Sequence, residues 1–333
     1  MNRRQFIAIS AATAASTATV SCSGGSAERP EGVPVGPFGN KSTAEEVSAG
    51  LDLTGKTALV TGSNSGIGYE TARVLALRGA HVICAARTVE KAQTTSDSIA
   101  GDTSPSVFDL ADWGSISDAA AIIRATGKPI DILVLNAGIM ELPELQQVYG
   151  MERQFVVNHL GHFILVNQLL EQIIAAPQGR IVSVSSGAAT RLAPNVGIHF
   201  EDLSGETWYS PGEAYGHSKL ANVLLCLELS RRYEGTNITA NALRPGVIAT
   251  NLGRHMPRWK TLALETIGSL FTKTIPQGAA TTVYVSTAPA LAKTSGQFFE
   301  HCNPIIGGGH TQNSTMATQL WNISEQLTKE YLV

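Results

Sequence analysis

The sequence feature that most limits the possible fold is a glycine-rich octapeptide between a short apolar run and a helical pattern. It has the spacing T-G-x-x-x-G-x-G and consists of Thr61, Gly62, Ser63, Asn64, Ser65, Gly66, Ile67 and Gly68. The preceding run, KTALVTG at 56–62, is typical of a buried strand, and a helical pattern runs from Gly66 to Gly79. Glycines permit a sharp turn, and the start of a helix presents free N–H groups to an anion. The segment therefore predicts a strand–loop–helix unit that binds phosphate.

The rest of the chain repeats this alternation of apolar runs and amphipathic stretches. Further strands are predicted at 81–87, 106–110, 131–138, 179–186, 237–246 and 296–300. Helices are predicted between them at 89–100, 115–125, 151–175, 215–233 and 277–286. Strands separated by helices pair in parallel through crossovers and not as hairpins. We therefore expect one doubly wound α/β domain with a seven-stranded parallel sheet over residues 51–333.

Composition excludes several classes of protein. A formal net charge of -3 over 333 residues leaves no basic surface of the kind that binds nucleic acid. The four cysteines lie far apart and lack zinc-ligand spacing, so neither a disulfide framework nor a zinc site is expected. Cys84 and Cys226 stand in apolar runs and are predicted to be buried thiols.

The first fifty residues differ from the rest in composition. Residues 1–22 combine Arg3-Arg4 with a weakly apolar stretch, which is the layout of an export signal and not of a membrane span. Arg-Arg-Gln-Phe-Ile resembles a twin-arginine signal, and Cys22 loosely resembles a lipoprotein processing site that would carry a lipid anchor. We expect export to the periplasm or to a membrane-anchored outer face, with a disordered extension of a cytoplasmic protein as the alternative. Residues 23–50 are expected to form a flexible linker.

The octapeptide resembles the glycine-rich motif of the short-chain dehydrogenase/reductase family, and the resemblance continues to the C-terminus. It implies a Rossmann-type domain in which residues 62–68 bind a nicotinamide dinucleotide. It implies further cofactor contacts at the ends of three later strands: Asp109 and Leu110, then Asn136, Ala137 and Gly138, then Pro245, Gly246, Val247 and Thr250.

The end of the second strand bears on the choice of cofactor. An acidic residue there would bind the free ribose hydroxyls of NAD, whereas the 2′-phosphate of NADP requires a cation. The strand ends Cys84-Ala85-Ala86-Arg87, with no carboxylate. Arg87 is suited to a bidentate grip on phosphate, so NADP(H) is the expected cofactor and NAD(H) the second choice.

A Y-x-x-x-K element, Tyr215 to Lys219, lies at the start of a predicted helix. Residues four apart share one helix face, so the phenol and the ammonium point into one site, where both are also expected to contact the cofactor. A tyrosine with an ordinary pKa near 10 exchanges protons poorly at neutral pH, and we expect the lysine charge and an oxidised nicotinamide to lower that pKa. Tyr215 is the predicted general acid and base.

Two more catalytic residues are implied by the resemblance. Ser186 would hydrogen-bond the substrate oxygen, with Ser185 as the fallback. Asn158 would hold a helix distortion and a proton-relay water beside Lys219.

Three later stretches resemble the retinol-dehydrogenase-like branch of the family: 155–170, 215–225 and 317–324. That branch implies NADP(H) and a lipophilic alcohol, aldehyde or ketone. The expected lid, 253–276, carries apolar residues that suit an apolar substrate and would equally suit a core, namely Met256, Trp259, Leu262, Leu264, Leu270 and Phe271. Relatives commonly pair through the helices that carry Asn158 and Tyr215, so a homodimer or a tetramer is expected.

Other functions fit the sequence less well. A cofactor-sensing regulator would keep the glycine loop and lose the tyrosine or the lysine, and an epimerase or dehydratase would be longer with another glycine spacing. A non-catalytic protein that binds cofactor or a lipophilic ligand remains the alternative. His159, His162 and His217 suggest a metal, but no further ligand completes a zinc site, so metal chemistry is not expected.

Overall fold

The structure, a computed structural model, describes residues 28–248 and 273–333. The predicted export signal with Cys22, the predicted cofactor residue Thr250 and the predicted lid as far as residue 272 lie outside the described residues.

A mostly parallel sheet forms the centre of the described domain. The strands are β1 (Thr57–Thr61), β2 (His81–Ala86), β3 (Thr103–Val107), β4 (Ile132–Leu135), β5 (Gln147–Val148), β6 (Met151–Glu152), β7 (Gly179–Val184), β8 (Ile238–Arg244), β9 (Phe298–Glu300) and β10 (Asn303–Ile305). Eight of them form the main sheet in the order β10-β9-β8-β7-β4-β1-β2-β3, and β5 and β6 form a separate pair. The strand order reverses between β1 and β4, and open α/β sheets bind ligands at the carboxyl ends of the strands at such a point.

The main sheet has one strand more than the seven that the sequence predicts. The additional strand, β10, pairs antiparallel with β9. His301 and Cys302 form the two-residue turn between them, with φ of 51° and 63°. Turns of this kind usually contain Asn-Gly or Asp-Gly, so a His-Cys pair gives no hairpin signal in the sequence.

Helices cover both faces of the sheet. They are α1 (Ala44–Val47), α2 (Gly66–Leu77), α3 (Val89–Ser98), α4 (Trp113–Ala125), α5 (Arg153–Phe155), a π-helical segment (Val156–Leu160), α6 (Gly161–Gln168), α7 (Leu170–Ala175), α8 (Ala188–Arg191), α9 (Pro211–Arg232), α10 (Ile275–Thr287) and α11 (Ser314–Thr328), with 3₁₀ turns at Pro289–Leu291 and Lys329–Tyr331. A large apolar core, here called the large layer, joins α4, the π-helical segment, α6, α9 and α11 to one face. A second core on the other face, here called the small layer, contains α1, α2 and α10.

The segment before residue 51 differs from the expected flexible linker, because its described part packs against the small layer. Ala44 and Val47 of α1 are buried, and the helix begins in a capping box made by Thr43 and Glu46. Further upstream, the Phe38 ring meets the Tyr284 ring edge-on at 5.6 Å. A capping box is a helix signal that the Gly- and Pro-rich composition around it concealed. The packed domain therefore begins before residue 51.

Two further observations concern the cysteines and the character of the helices. Cys84 and Cys226 are fully buried, as the apolar runs around them predict, and Cys302 is buried as well. Within the described ranges, no helix combines the length and the apolar character that crossing a bilayer requires.

Candidate active site

The glycine-rich loop between β1 and α2 has the backbone that its sequence predicts. Gly62 and Gly66 adopt left-handed conformations, with φ of 64° and 57°. A side chain at Gly68 would place its Cβ 2.3 Å from the Gly62 carbonyl oxygen and 2.4 Å from the Asn136 amide nitrogen. Because that separation is closer than atoms tolerate, the third glycine is required for the helix to approach the strand.

The start of α2 differs from the starts of the other helices of ten or more residues in the described parts of the chain. Helices α3, α4, α9, α10 and α11 each begin with a side chain that accepts a hydrogen bond from a first-turn amide. At Ser65, before α2, no such bond is made, and the first turn has no acidic residue. The amides and the positive dipole end of α2 are therefore available to an anion. This arrangement fits a dinucleotide pyrophosphate.

The other predicted loop residues divide into two groups. Asn64 and Ser65 are exposed at the loop surface. Ser63 is fully buried, and both its backbone N–H and its hydroxyl bond the Ala85 carbonyl oxygen of β2, at 3.1 and 3.2 Å. The Ser63 side chain therefore joins the loop to β2, and Asn64 and Ser65 are the loop residues whose side chains are exposed to a ligand.

The Asn-Ala-Gly turn after β4 is bonded to the glycine loop. The Asn136 side chain donates to the Thr61 carbonyl oxygen at 2.8 Å. The Thr61 hydroxyl accepts the backbone N–H groups of Asn136 and Ala137, each at 2.9 Å. A Cβ on Gly138 would lie 3.0 Å from the Asn158 side-chain oxygen and 3.3 Å from the Lys219 ammonium. The turn thus links the predicted cofactor loop to the predicted catalytic residues.

Asn158 lies in the π-helical segment, so the helix distortion predicted there is present. The residue is fully buried and does not face solvent. Its side chain accepts from the Ile139 N–H at 2.8 Å and donates to the Ile139 carbonyl at 2.9 Å. It also donates to the Ser218 hydroxyl at 2.9 Å, and that hydroxyl donates to the Tyr215 carbonyl at 2.8 Å. Asn158 therefore fastens the turn after β4 to the helix that carries Tyr215.

The two serines after β7 have different environments. Ser185 is buried, and its hydroxyl donates to the Lys219 carbonyl oxygen at 2.7 Å. Ser186 is partly exposed, accepts the Ala188 N–H at 3.1 Å, and interacts with the Tyr215 phenol. Of the pair, Ser186 is the residue whose side chain lies beside Tyr215.

Tyr215 and Lys219 lie together on the buried face of α9. The Lys219 ammonium is 5.8 Å from the centre of the Tyr215 ring and donates to the Val184 carbonyl at 2.9 Å. Burial raises the pKa of Tyr215 to about 12, the hydrogen bond with Ser186 works against this rise, and the Glu141 charge adds to it. Burial also lowers the pKa of Lys219 to about 8. The expected lowering of the tyrosine pKa is therefore not found in the chain alone, because desolvation and the Glu141 charge outweigh the hydrogen bond with Ser186.

The remaining predicted residues follow the carboxyl ends of β2, β3 and β8. Arg87 is exposed at the end of β2. Asp109 accepts the Ala111 N–H at 2.9 Å in the turn after β3, whereas Leu110 is a core residue. Beyond β8, Gly246 has a φ of 93° and Val247 is 53% exposed. Pro245 lies between β8 and this turn, and Thr250 falls outside the described residues.

The three histidines point to different partners. His159 bonds the Ser324 hydroxyl at 2.9 Å, and His162 contacts Thr61 and the Asn158 backbone. His217 accepts the His199 N–H at 3.2 Å and packs against Phe155. Over residues 28–248 and 273–333, no group of three or more metal-ligating side chains is arranged around a common centre.

Sequence reasoning did not single out Thr61, Ser218 and His162 as members of this network. Thr61 and Ser218 stand inside the two recognised motifs, so their polar side chains were the available signal. His162 follows Asn158 by four residues, the spacing that places its side chain against the asparagine carbonyl.

Comparison with known proteins agrees with this geometry. A family model described as short chain dehydrogenase matches residues 56–199. The chain is 40% identical to "Short-chain dehydrogenase TIC 32 B, chloroplastic" of Brassica napus over 302 residues, which is 87% of this chain and 94% of that protein. It is 40% identical to "Retinol dehydrogenase 12" of Homo sapiens over 283 residues, 83% of this chain and 87% of that protein. A crystal structure of a protein from Mycobacterium paratuberculosis, 34% identical, superposes with a TM-score of 0.69 over 85% of this chain and 97% of the other.

Proposed function

Since the chain belongs to the short-chain dehydrogenase/reductase family of NAD(P)-dependent oxidoreductases, we propose that it interconverts an apolar alcohol and its carbonyl compound with NADP(H), using Tyr215 as general acid and base. The observation that carries the proposal is the arrangement of Ser186, Tyr215 and Lys219 at the carboxyl end of β7. The Asn-Ala-Gly turn lies between these three residues and the start of α2, which has no side-chain cap and suits a pyrophosphate.

The cofactor would be held mainly by backbone groups. The loop 62–68 and the first turn of α2 would bind the pyrophosphate, and Arg87 would bind the 2′-phosphate of NADP. When bound, the nicotinamide supplies the hydride that reduces a carbonyl or accepts the hydride that an alcohol loses.

The proton step belongs to the side chains of α9. With a pKa near 12, Tyr215 is a neutral phenol at neutral pH and carries the proton that a reduced carbonyl oxygen takes up. Lys219, with a pKa near 8, is mostly protonated at neutral pH and is oriented by the Val184 carbonyl. Ser186 offers a hydroxyl beside the phenol to orient the same substrate oxygen. In the oxidation direction, Tyr215 must instead release its proton, which the positive charge of an oxidised nicotinamide favours.

An apolar substrate is proposed by analogy with the relative named retinol dehydrogenase 12. The apolar residues between 256 and 271, which lie outside the described residues, add a sequence argument. A screen of apolar aldehydes and ketones against short polar ones tests this choice of substrate.

The central test is titration of the full chain with NADPH and NADH, followed by turnover assays. The Tyr215→Phe variant should lose about 10²- to 10⁴-fold in kcat, the range that general acid–base catalysis contributes, while its affinity for NADPH stays within a few-fold. Tyr233→Phe, at the exposed end of the same helix, is the matched control and should keep its activity. Substantial activity in the Tyr215→Phe variant would exclude Tyr215 as the proton donor. Tight NADPH binding by the parent without turnover would favour a ligand-binding protein.

The NADP preference is tested by Arg87→Ala. Loss of a charge-assisted bidentate contact should reduce the preference for NADPH over NADH by about tenfold or more. Lys91→Ala, which removes another exposed cation at the start of the next helix, is the control. Equal preference in Arg87→Ala and the parent would remove Arg87 from the proposal.

Export by the twin-arginine route is a separate proposal from the sequence of residues 1–22. It accords with a chain that loads its cofactor in the cytoplasm and folds before it crosses the membrane. Cell fractionation should find the parent outside the cytoplasm and the double variant Arg3→Lys, Arg4→Lys retained inside. An intact, unmodified parent in the cytosol would refute export.

A further inference from the structure

A line of hydrogen bonds joins Thr61 to Asn158 through the side chain of His162. Its Nε2 lies 3.0 Å from the Thr61 hydroxyl, and its Nδ1 lies 2.9 Å from the Asn158 carbonyl oxygen. The side chain is fully buried. Both ring nitrogens are therefore used inside the protein, one on each side of the ring.

The direction of these bonds follows from the partners. The Asn158 carbonyl can only accept, so Nδ1 carries the hydrogen and Nε2 is the acceptor. The Thr61 hydroxyl then donates to Nε2 at 3.0 Å, which is nearer than the Val134 carbonyl oxygen at 3.3 Å, while its oxygen accepts the N–H groups of Asn136 and Ala137. Burial lowers the pKa of His162 to about 4, so the neutral ring that this pattern requires is the form present at neutral pH.

Each end of this line holds one half of the turn after β4. Thr61 holds Asn136 and Ala137, and Asn158 holds Ile139 by two hydrogen bonds. Between these halves lies Gly138, which approaches both the Asn158 side chain and the Lys219 ammonium. His162 is the polar group that connects the two halves.

The π-helical segment explains why such a connection is needed. A π turn inserts a residue into the regular hydrogen-bond ladder, and such turns occur often at functional sites. His162 donates to a carbonyl within this turn, at the residue whose side chain bonds Ser218 of α9. A shift of the Asn158 backbone would therefore move the contacts that locate Tyr215 and Lys219.

We propose that His162 is a positioning residue, which holds the Asn158 backbone and the Asn-Ala-Gly turn in the arrangement that Tyr215 and Lys219 require for proton transfer. The inference rests on the function proposed above. His162 does not itself contact the reacting atoms; it acts through Thr61 and Asn158.

The chain contains a matched comparison for this role. His159 lies in the π-helical segment, three residues before His162 of α6; it is 1% exposed and also forms a hydrogen bond through its ring. Its partner is Ser324 of α11, and its ring packs near Phe155 and Phe163. A purely structural buried histidine in this helix should therefore behave as His159 does.

The experiment compares His162→Phe with His159→Phe in the full chain. Melting temperature, NADPH dissociation constant, kcat and the pH profile of kcat are measured for each. We expect His162→Phe to lose about 10- to 100-fold in kcat, the scale of a misplacement near 1 Å, with NADPH affinity within a few-fold of the parent. Its pH profile should shift, because the environment of the tyrosine–lysine pair changes. His159→Phe should lower the melting temperature and leave both kcat and the pH profile within error.

A second pair of variants tests the other end of the line and covers the case in which His162→Phe does not fold. Thr61→Ser keeps the hydroxyl and should retain the parent's pH profile, whereas Thr61→Val removes it and should shift the profile. Thr61→Val with the pH profile of the parent, or His162→Phe with the kcat and profile of His159→Phe, overturns the inference while the proposed function stands. A parent that binds NADPH and turns over none of the substrates refutes the proposed function first and the inference with it.

Discussion

The two layers that cover the sheet hold their functional groups by different means. The large layer buries polar side chains, among them Asn158, His162, Ser218 and Lys219, and fixes them through bonds to other side chains and to carbonyls. The small layer has a core built mainly of alanine, valine and leucine. The groups that it offers to a ligand are backbone amides at the start of α2.

This difference indicates where each half of the site is vulnerable. A network of desolvated side chains depends on protonation and on the apolar groups that keep water out. A backbone cradle has no titrating group to lose, but it depends on the absence of side-chain volume. Changes of pH and of the apolar cover should therefore affect the large layer, and added methyl groups should affect the small layer.

The largest expected effect is acid destabilisation through the large layer. Burial lowers the pKa of His159 to about 3, of His162 to about 4 and of His217 to about 3. In the unfolded chain each ring takes up a proton near pH 6.5, while in the folded chain it stays neutral. The free energy of unfolding should therefore be highest above pH 6.5. It should fall as the pH decreases toward 4, by about 1.4 kcal/mol per pH unit for each histidine.

Urea unfolding between pH 7.5 and 5 measures this slope over the range in which the rings of the unfolded chain take up protons. His159→Phe removes one of the three rings and should reduce the slope by about one proton. A stability that does not change over this range would contradict the assignment of three neutral buried histidines.

The apolar cover of the large layer is tested next. Trp321 of α11 is 4% exposed, and its ring meets the Phe163 ring at 4.9 Å and the Arg232 guanidinium at 4.3 Å. Trp321→Ala should lower the free energy of unfolding by about 3–5 kcal/mol. Leu327→Ala, at a position 37% exposed on the same helix, is the control and should cost far less.

The same helix bears on oligomeric state. Through His159–Ser324 and Phe163–Trp321, α11 covers part of the segment that follows Asn158, and it packs on α9 as well. Pairing through the helices that carry Asn158 and Tyr215, which the sequence predicts, would have to leave α11 in place or displace it. Light scattering of the parent and of Trp321→Ala shows whether loosening α11 changes the mass of the particle.

The fold was largely predictable because its repeating units are local. All seven predicted strands occur, and the β7 strand starts at the predicted residue, Gly179. The third strand lies three residues earlier than predicted, at Thr103–Val107, because Pro105 within it is tolerated on a strand at the edge of the sheet. The hairpin to β10 was missed because its turn carries no turn-forming residues.

The site was predictable as a set of motifs but not as an electrostatic environment. Spacing placed Tyr215 and Lys219 on one helix face, and the structure places them there. The direction in which the pKa of Tyr215 shifts depends on the burial of its phenol in the folded protein, and no local sequence pattern reports that burial. The connecting role proposed for His162 likewise depends on Thr61, which is 101 residues away in sequence.

The smallest expected effect concerns the small layer and Gly68. In Gly68→Ala the added methyl would meet the Gly62 carbonyl and the Asn136 amide, so the loop must move or the helix must shift. Overpacking of this kind costs about 1–3 kcal/mol in the free energy of unfolding. Because the displaced groups form the cradle for the pyrophosphate, the NADPH dissociation constant should rise while kcat at saturating cofactor changes little.

Gly308→Ala, where a Cβ meets nothing within 4 Å, is the matched control. Equal stability and equal NADPH affinity in the two variants would show that the close approach at Gly68 does not shape the cradle. A loss of kcat in Gly68→Ala as large as in His162→Phe would show instead that the two layers do not divide binding and proton transfer between them.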